Sequence, residues 1–180
     1  MKRLYFVRHG ESEFNKSNLW TSSTDVPLTE KGCEQAKKAG QLLKQAGESF
    51  DIIISSPLQR AYQTADHVAQ AVDYPSDKIH LNDRLVERNF GSLEGKKGLV
   101  AATKYIVDES AIDKHDGVEK LADLQTRVND FLEYLYSLPY DNILIVGHGA
   151  FGRALHRAVN NEPLSKRSKV YHNGEVERLI

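Results

Sequence analysis

The chain of 180 residues holds 24 Lys plus Arg against 25 Asp plus Glu, a formal net charge of -1, so bulk charge gives no reason to expect nucleic acid or an anionic membrane as a partner. Its single cysteine, Cys33, excludes an internal disulfide and a cysteine-built zinc site and fits a reducing compartment. No apolar run approaches the roughly 18 residues of a spanning helix, and the apolar residues after Met1-Lys2-Arg3 are too few for a secretory signal, so the chain reads as one cytoplasmic domain over 1–180.

Leu4 to Val7 reads as a buried strand that stops at Arg8-His9-Gly10. Gly10 lets the backbone turn sharply, which leaves Arg8 and His9 at the carboxyl end of the strand, where open α/β sheets place their ligands. A ring nitrogen beside a guanidinium fork suits an anionic electrophile, and phosphate matches that fork best. Lys16 to Pro27, which contains Trp20, reads as a polar loop. Thr29 then N-caps a helix, with Leu28 and Cys33 at the staple positions and Ala36, Gly40, Leu43 and Ala46 continuing its buried face to near Gly47.

Phe50 to Ile54 is a second buried strand, ending at Ser55-Ser56-Pro57. Ser56, Pro57 and Gln59 have the spacing of N-cap, N1 and N3, which predicts a helix that starts on Ser56 and buries Leu58, Ala61, Ala65, Val68, Ala69 and Val72. Arg60 falls in its first turn, beside free helix N–H groups that favour an anion. Lys78 to Leu81 reads as a short edge strand, Arg84 to Gly95 as a loop and Gly98 to Val107 as a short helix. Leu121, Leu124, Val128, Phe131, Leu132 and Leu135 form the clearest amphipathic helix, closed by Pro139. Ile143 to Val146 repeats the opening pattern and runs into Gly147-His148-Gly149. A helix over Ala150 to Val159 follows, then a turn at Asn173-Gly174 and a last edge strand over Glu175 to Ile180. The alternation predicts a three-layer α/β/α sandwich with a mostly parallel sheet and an antiparallel edge strand.

Three strands thus end in Arg8-His9, in the segment before Arg60, and in His148. If they are parallel neighbours, the four side chains converge at one end of the sheet. A metal held by the two histidines is disfavoured, because the arginines would repel it and neither histidine has a ligand-like spacing. A serine nucleophile at Ser55 or Ser56 lacks the glycine-bracketed elbow such residues need.

Arg8-His9-Gly10-Glu11-Ser12 with Asn15, Asp25 to Thr29 with Gly32, Ser55-Ser56-Pro57-Leu58 with Arg60-Ala61 and Thr64-Ala65, Glu87 with Gly91 and Glu94-Gly95, and Gly147-His148-Gly149 together resemble the histidine phosphatase superfamily, the phosphoglycerate mutase-like group. The resemblance implies that His9 is the nucleophile that becomes phosphorylated and that Arg8, Arg60 and His148 hold the phosphoryl oxygens. It implies that Asn15, Thr21, Ser22 and Gly149 line the substrate pocket, that Glu87 serves the leaving group, and that neither metal nor cofactor is required.

Several positions depart from the mutase pattern. The interval before His148 is short and has no adjacent pair of arginines, Ala150 follows Gly149 where mutases tend to have asparagine, Phe90 replaces a tyrosine, and Ser22 stands where glycine is common. These departures predict a phosphatase; the expected partner is a small phosphorylated substrate, and the chain is expected to be a monomer or homodimer. A cofactor-dependent mutase-type phosphotransferase and a non-catalytic phospho-ligand binding module are the alternatives.

Overall fold

Five strands, β1 (Arg3–Arg8), β2 (Ile52–Ser55), β3 (His80–Leu81), β4 (Asn142–Gly147) and β5 (Val176–Arg178), form one sheet in the order β3-β2-β4-β1-β5. The structure is a computed structural model and describes residues 2–98, 108–164 and 169–180. β1, β4, β2 and β3 run parallel, and β5 closes the β1 edge antiparallel to it. In the central register Phe6 lies opposite Ile145, and Ile145 opposite Ile54.

Both faces of the central strands are buried, which is why they read as continuous apolar runs rather than as alternating patterns. Leu4, Phe6, Ile54, Ile143 and Ile145 pack with the buried faces of α4 (Leu121–Ser137) and α5 (Gly149–Asn160). Tyr5, Val7, Ile53, Leu144 and Val146 pack on the other side with α2 (Glu30–Gln45) and α3 (Gln59–Ala71). The helix pair α2 and α3 approaches closely at Gly40, where a Cβ would come within 2.6 Å of Ala71 Cβ. Among the described residues no helix is long and apolar enough to cross a membrane.

Thr29 caps α2 as expected, its Oγ1 accepting from Gly32 N at 3.0 Å. The polar stretch after β1 contains a short helix, α1 (Glu13–Lys16), because Ser12 and Asn15 form a reciprocal capping box. The expected capping box at Ser56 is not formed: α3 begins at Gln59 with Leu58 as its N-cap residue. Its first free N–H is instead taken by Asp25, whose Oδ1 accepts from Gln59 N at 2.7 Å. The expected strand over 78–81 shortens to His80–Leu81, because Ser76–Lys78 coils into a 3-10 turn. The loop expected after Arg84 carries a 3-10 turn at Gly91–Leu93. Of the helix expected over Gly98 to Val107, residues 99–107 lie outside the described residues.

Candidate active site

The strand order decides what meets at the carboxyl edge. His9 N donates to Gly147 O at 2.9 Å and Ser56 N to Val146 O at 3.0 Å, so the ends of β1, β4 and β2 are tied side by side. This brings His9 and His148 together, with ring centroids 5.1 Å apart at 61°. Arg8, at the end of β1, and Arg60, in the first turn of α3, lie near enough for their charges to act on both rings.

Each of these side chains is held so that at least one nitrogen is left over. His9 Nδ1 lies 2.7 Å from Gly10 O; a carbonyl can only accept, so Nδ1 carries the proton and Nε2 keeps the lone pair. His148 Nε2 lies 2.8 Å from Ser56 Oγ, while its buried Nδ1 has no hydrogen-bond partner among the described residues. Arg60 donates from Nη1 to Thr24 O and from Nη2 to Ser22 O, and Arg8 from Nη1 to Tyr171 O. The Nε atoms of both arginines are buried without a partner among the described residues. Buried donors in native proteins are nearly always satisfied, so the two guanidinium Nε–H groups mark a site for acceptor atoms, and His148 Nδ1 joins them as a donor in the tautomer in which Ser56 Oγ donates to Nε2.

The electrostatics agree with an anion site. Burial, then the Arg60 and Arg8 charges, hold His9 well below the ordinary histidine range, which keeps it neutral. Burial, Arg60, His9 and Arg8 do the same to His148. Burial lowers Arg8 to about 10 while the Glu87 charge opposes the shift, and the guanidinium stays charged at neutral pH. Burial also lowers Arg60, against Glu87, Asp25 and Glu94.

Glu87 sits at the N-terminus of α5. Its Oε2 accepts from Ala150 N at 3.2 Å, and its Oε1 from Phe151 N at 3.1 Å and Arg88 N at 2.9 Å. Oε2 therefore retains lone-pair capacity for a further partner. Ser22 contributes its backbone carbonyl to Arg60, while its own N–H and hydroxyl bond Glu94. Burial raises the Glu94 carboxyl, but the hydrogen bonds from Ser22 and Thr24 outweigh it and hold the group below its ordinary range. Gly149 borders the site: a Cβ there would lie in ordinary contact with Arg8 Nε, at 3.5 Å. Asn15 Oδ1 accepts from Ser12 N at 3.1 Å and from Asn173 Nδ2 at 3.2 Å. Thr21 is buried beside these residues in sequence, but its hydroxyl donates within its own loop, to Leu19 O at 3.4 Å.

Four further residues shape the site. Ser56, expected as a helix cap, orients His148. Thr64 Oγ1 accepts from Gly10 N at 3.0 Å and donates to Arg60 O at 2.8 Å, which locks the turn after His9 to α3. Gly32 meets the same turn so closely that a Cβ on it would lie 2.0 Å from Glu11 O. Asn173, expected only as a turn residue, donates to His9 O at 3.0 Å. For Thr64 and Gly32 the sequence signal is their place in the motif. For Ser56 and Asn173 the local pattern points to a commoner role.

A family model of the histidine phosphatase superfamily (branch 1) matches residues 4–179, and the chain belongs to that superfamily. The 2,3-bisphosphoglycerate-dependent phosphoglycerate mutase of Borreliella burgdorferi (strain ZS7) is 45% identical over 112 residues, 62% of this chain and 45% of the relative. That of Streptococcus gordonii is 45% identical over 105 residues, 58% of this chain and 46% of the relative. The matched stretch thus spans less than half the length of these curated relatives. Among solved structures, a phosphoserine phosphatase from Entamoeba histolytica in complex with 3-phosphoglyceric acid superposes with a TM-score of 0.78 at 26% identity, covering 98% of this chain and 89% of that one. A phosphoglycerate mutase from Bacillus anthracis str. Sterne gives a TM-score of 0.81 at 26% identity, covering 98% and 86%.

Proposed function

We propose that the protein is a metal-independent phosphomonoester hydrolase that works through a phosphohistidine on His9. One observation carries the reading: three buried nitrogens without partners among the described residues, Arg8 Nε, Arg60 Nε and His148 Nδ1, gather at a histidine whose Nε2 is held as the acceptor. In the first step Nε2 of His9 attacks phosphorus, the N–P bond forms and the ester P–O bond breaks. Glu87 gives its proton to the departing alkoxide. The arginines and His148 bind the equatorial oxygens and stabilise the charge they carry in the transition state. In the second step Glu87 takes a proton from water, which attacks phosphorus and releases phosphate from His9. Splitting the displacement into two halves gives two easier reactions, and neutral His9 needs no separate base to become a nucleophile.

Hydrolysis is favoured over transfer by Ala150, Phe90 and Ser22 at positions where mutases differ, and the substrate is a small phosphorylated molecule. The identity to phosphoglycerate mutases over 112 residues supports a second reading, transfer of the phosphoryl group back to a sugar acid. Rapid quenching with p-nitrophenyl phosphate tests the proposal. It should trap an acid-labile, base-stable phosphoryl group that is absent from His9→Ala, with phosphate release across a panel of phosphomonoesters. Normal turnover by His9→Ala would refute the nucleophile assignment. Isomerisation of phosphoglycerates faster than phosphate release would favour the second reading.

A further inference from the structure

We infer that Asn173 is a positioning residue that fixes which end of the Asn15 amide is offered to the phosphoryl group. The inference rests on the reading of His9 as the centre of a phosphoryl pocket. Two donors converge on one oxygen: Ser12 N at 3.1 Å and Asn173 Nδ2 at 3.2 Å both reach Asn15 Oδ1. An amide has one accepting end and one donating end. Turned over, Asn15 would set its NH2 against both donors, so the observed orientation is the one that Ser12 and Asn173 together enforce. It leaves the Asn15 NH2, which has no hydrogen-bond partner among the described residues, as a donor for an anion. The opposite orientation would present a carbonyl oxygen and repel phosphoryl oxygens.

Asn173 is itself well anchored. Its Nδ2 also donates to His9 O at 3.0 Å. Gly174 N donates to Arg8 O at 3.1 Å and to His9 O at 3.3 Å, and Tyr171 O accepts from Arg8 Nη1. Tyr171 is buried, with its ring against Phe6 and its hydroxyl on Glu177. The turn that leads into β5 is thus tied to the two residues at the end of β1, and it delivers one side-chain donor to the accepting end of Asn15.

Asn173→Asp replaces that donor with a carboxylate, which draws the Asn15 NH2 toward itself and turns the Asn15 oxygen to the substrate. The KM for p-nitrophenyl phosphate and the inhibition constant for inorganic phosphate should each rise at least about tenfold, the scale of a lost charge-assisted hydrogen bond. Asn173→Ala, which removes one of the two constraints without reversing it, should show a smaller rise. Below about pH 4 the introduced carboxyl takes up a proton and becomes a donor again, so the gap between Asn173→Asp and wild type should narrow. In an Asn15→Ala background, adding Asn173→Asp should weaken phosphate inhibition no more than about twofold, because residues that act through one another are not additive. Wild-type phosphate affinity in Asn173→Asp, a full-size effect in the Asn15→Ala background, or unfolding of both Asn173 variants would each overturn the inference alone. A wild-type protein that neither turns over p-nitrophenyl phosphate nor binds phosphate would refute the parent reading as well.

Discussion

Ser56 Oγ lies 2.8 Å from Nε2 of His148, so the second imidazole of the pocket is oriented by the neighbouring strand end and not by its own glycine-flanked turn. Ser56→Ala should leave His148 free to rotate and Nε2 buried without a partner. A fall in kcat/KM of about tenfold or more and a stability loss of about 1–3 kcal/mol are expected. Steady-state kinetics and a denaturant titration check both.

The pH dependence follows from the two buried histidines. Both have folded pKa values below the ordinary value of about 6.5. The unfolded chain therefore binds more protons than the native one between the folded pKa and about 6.5, and stability falls as pH drops through that window. Each histidine adds a slope of up to about 1.4 kcal/mol per pH unit there. His148→Asn, neutral at every pH, should flatten the stability profile measured by urea denaturation between pH 5 and 6.5. For the same reason the acid limb of kcat/KM should lie below the usual histidine range.

Glu87→Gln keeps one accepting oxygen, enough for Phe151 N and Arg88 N but not also for Ala150 N, and it cannot pass a proton. Turnover of an alkyl phosphate, whose leaving group needs protonation, should fall by about 10²–10⁴. Turnover of p-nitrophenyl phosphate, whose leaving group departs as a stable anion, should fall much less. Equal losses on both substrates would show that Glu87 serves the pocket in some other way.

Gly32→Ala places a methyl group where a backbone oxygen stands 2.0 Å away, so either α2 or the turn after His9 has to move. A loss of about 1–3 kcal/mol is expected, together with weaker inhibition by phosphate, because that turn carries the Gly10 carbonyl that sets the His9 tautomer. Urea midpoints and phosphate inhibition constants test the two parts separately.

Much of the frame is legible in the sequence, because strands buried on both faces appear as uninterrupted apolar runs and the runs of β1, β2 and β4 lead into His9, Ser56 and His148. What is hidden depends on contacts between distant segments. The Ser56-Pro57-Leu58-Gln59 pattern is a good helix cap by any local criterion. Only the placement of β4 beside β2 brings His148 to that hydroxyl and leaves the cap to Asp25. Asn173-Gly174 likewise reads as a turn, and it is one. Its second role comes from the pairing of β5 with β1. The edge strand at 78–81 shortens because Ser76–Lys78 coils into a 3-10 turn, which leaves His80 and Leu81 to pair with Ile54 and Ser55.

β1 comes first along the chain, yet both strands beside it, β4 and β5, come from the last part. Closing so long a loop delays that pairing relative to local structure. On dilution from denaturant, helical circular dichroism should return ahead of turnover of p-nitrophenyl phosphate, so recovered catalysis serves as a clock for the final insertion of β1 between strands made much later.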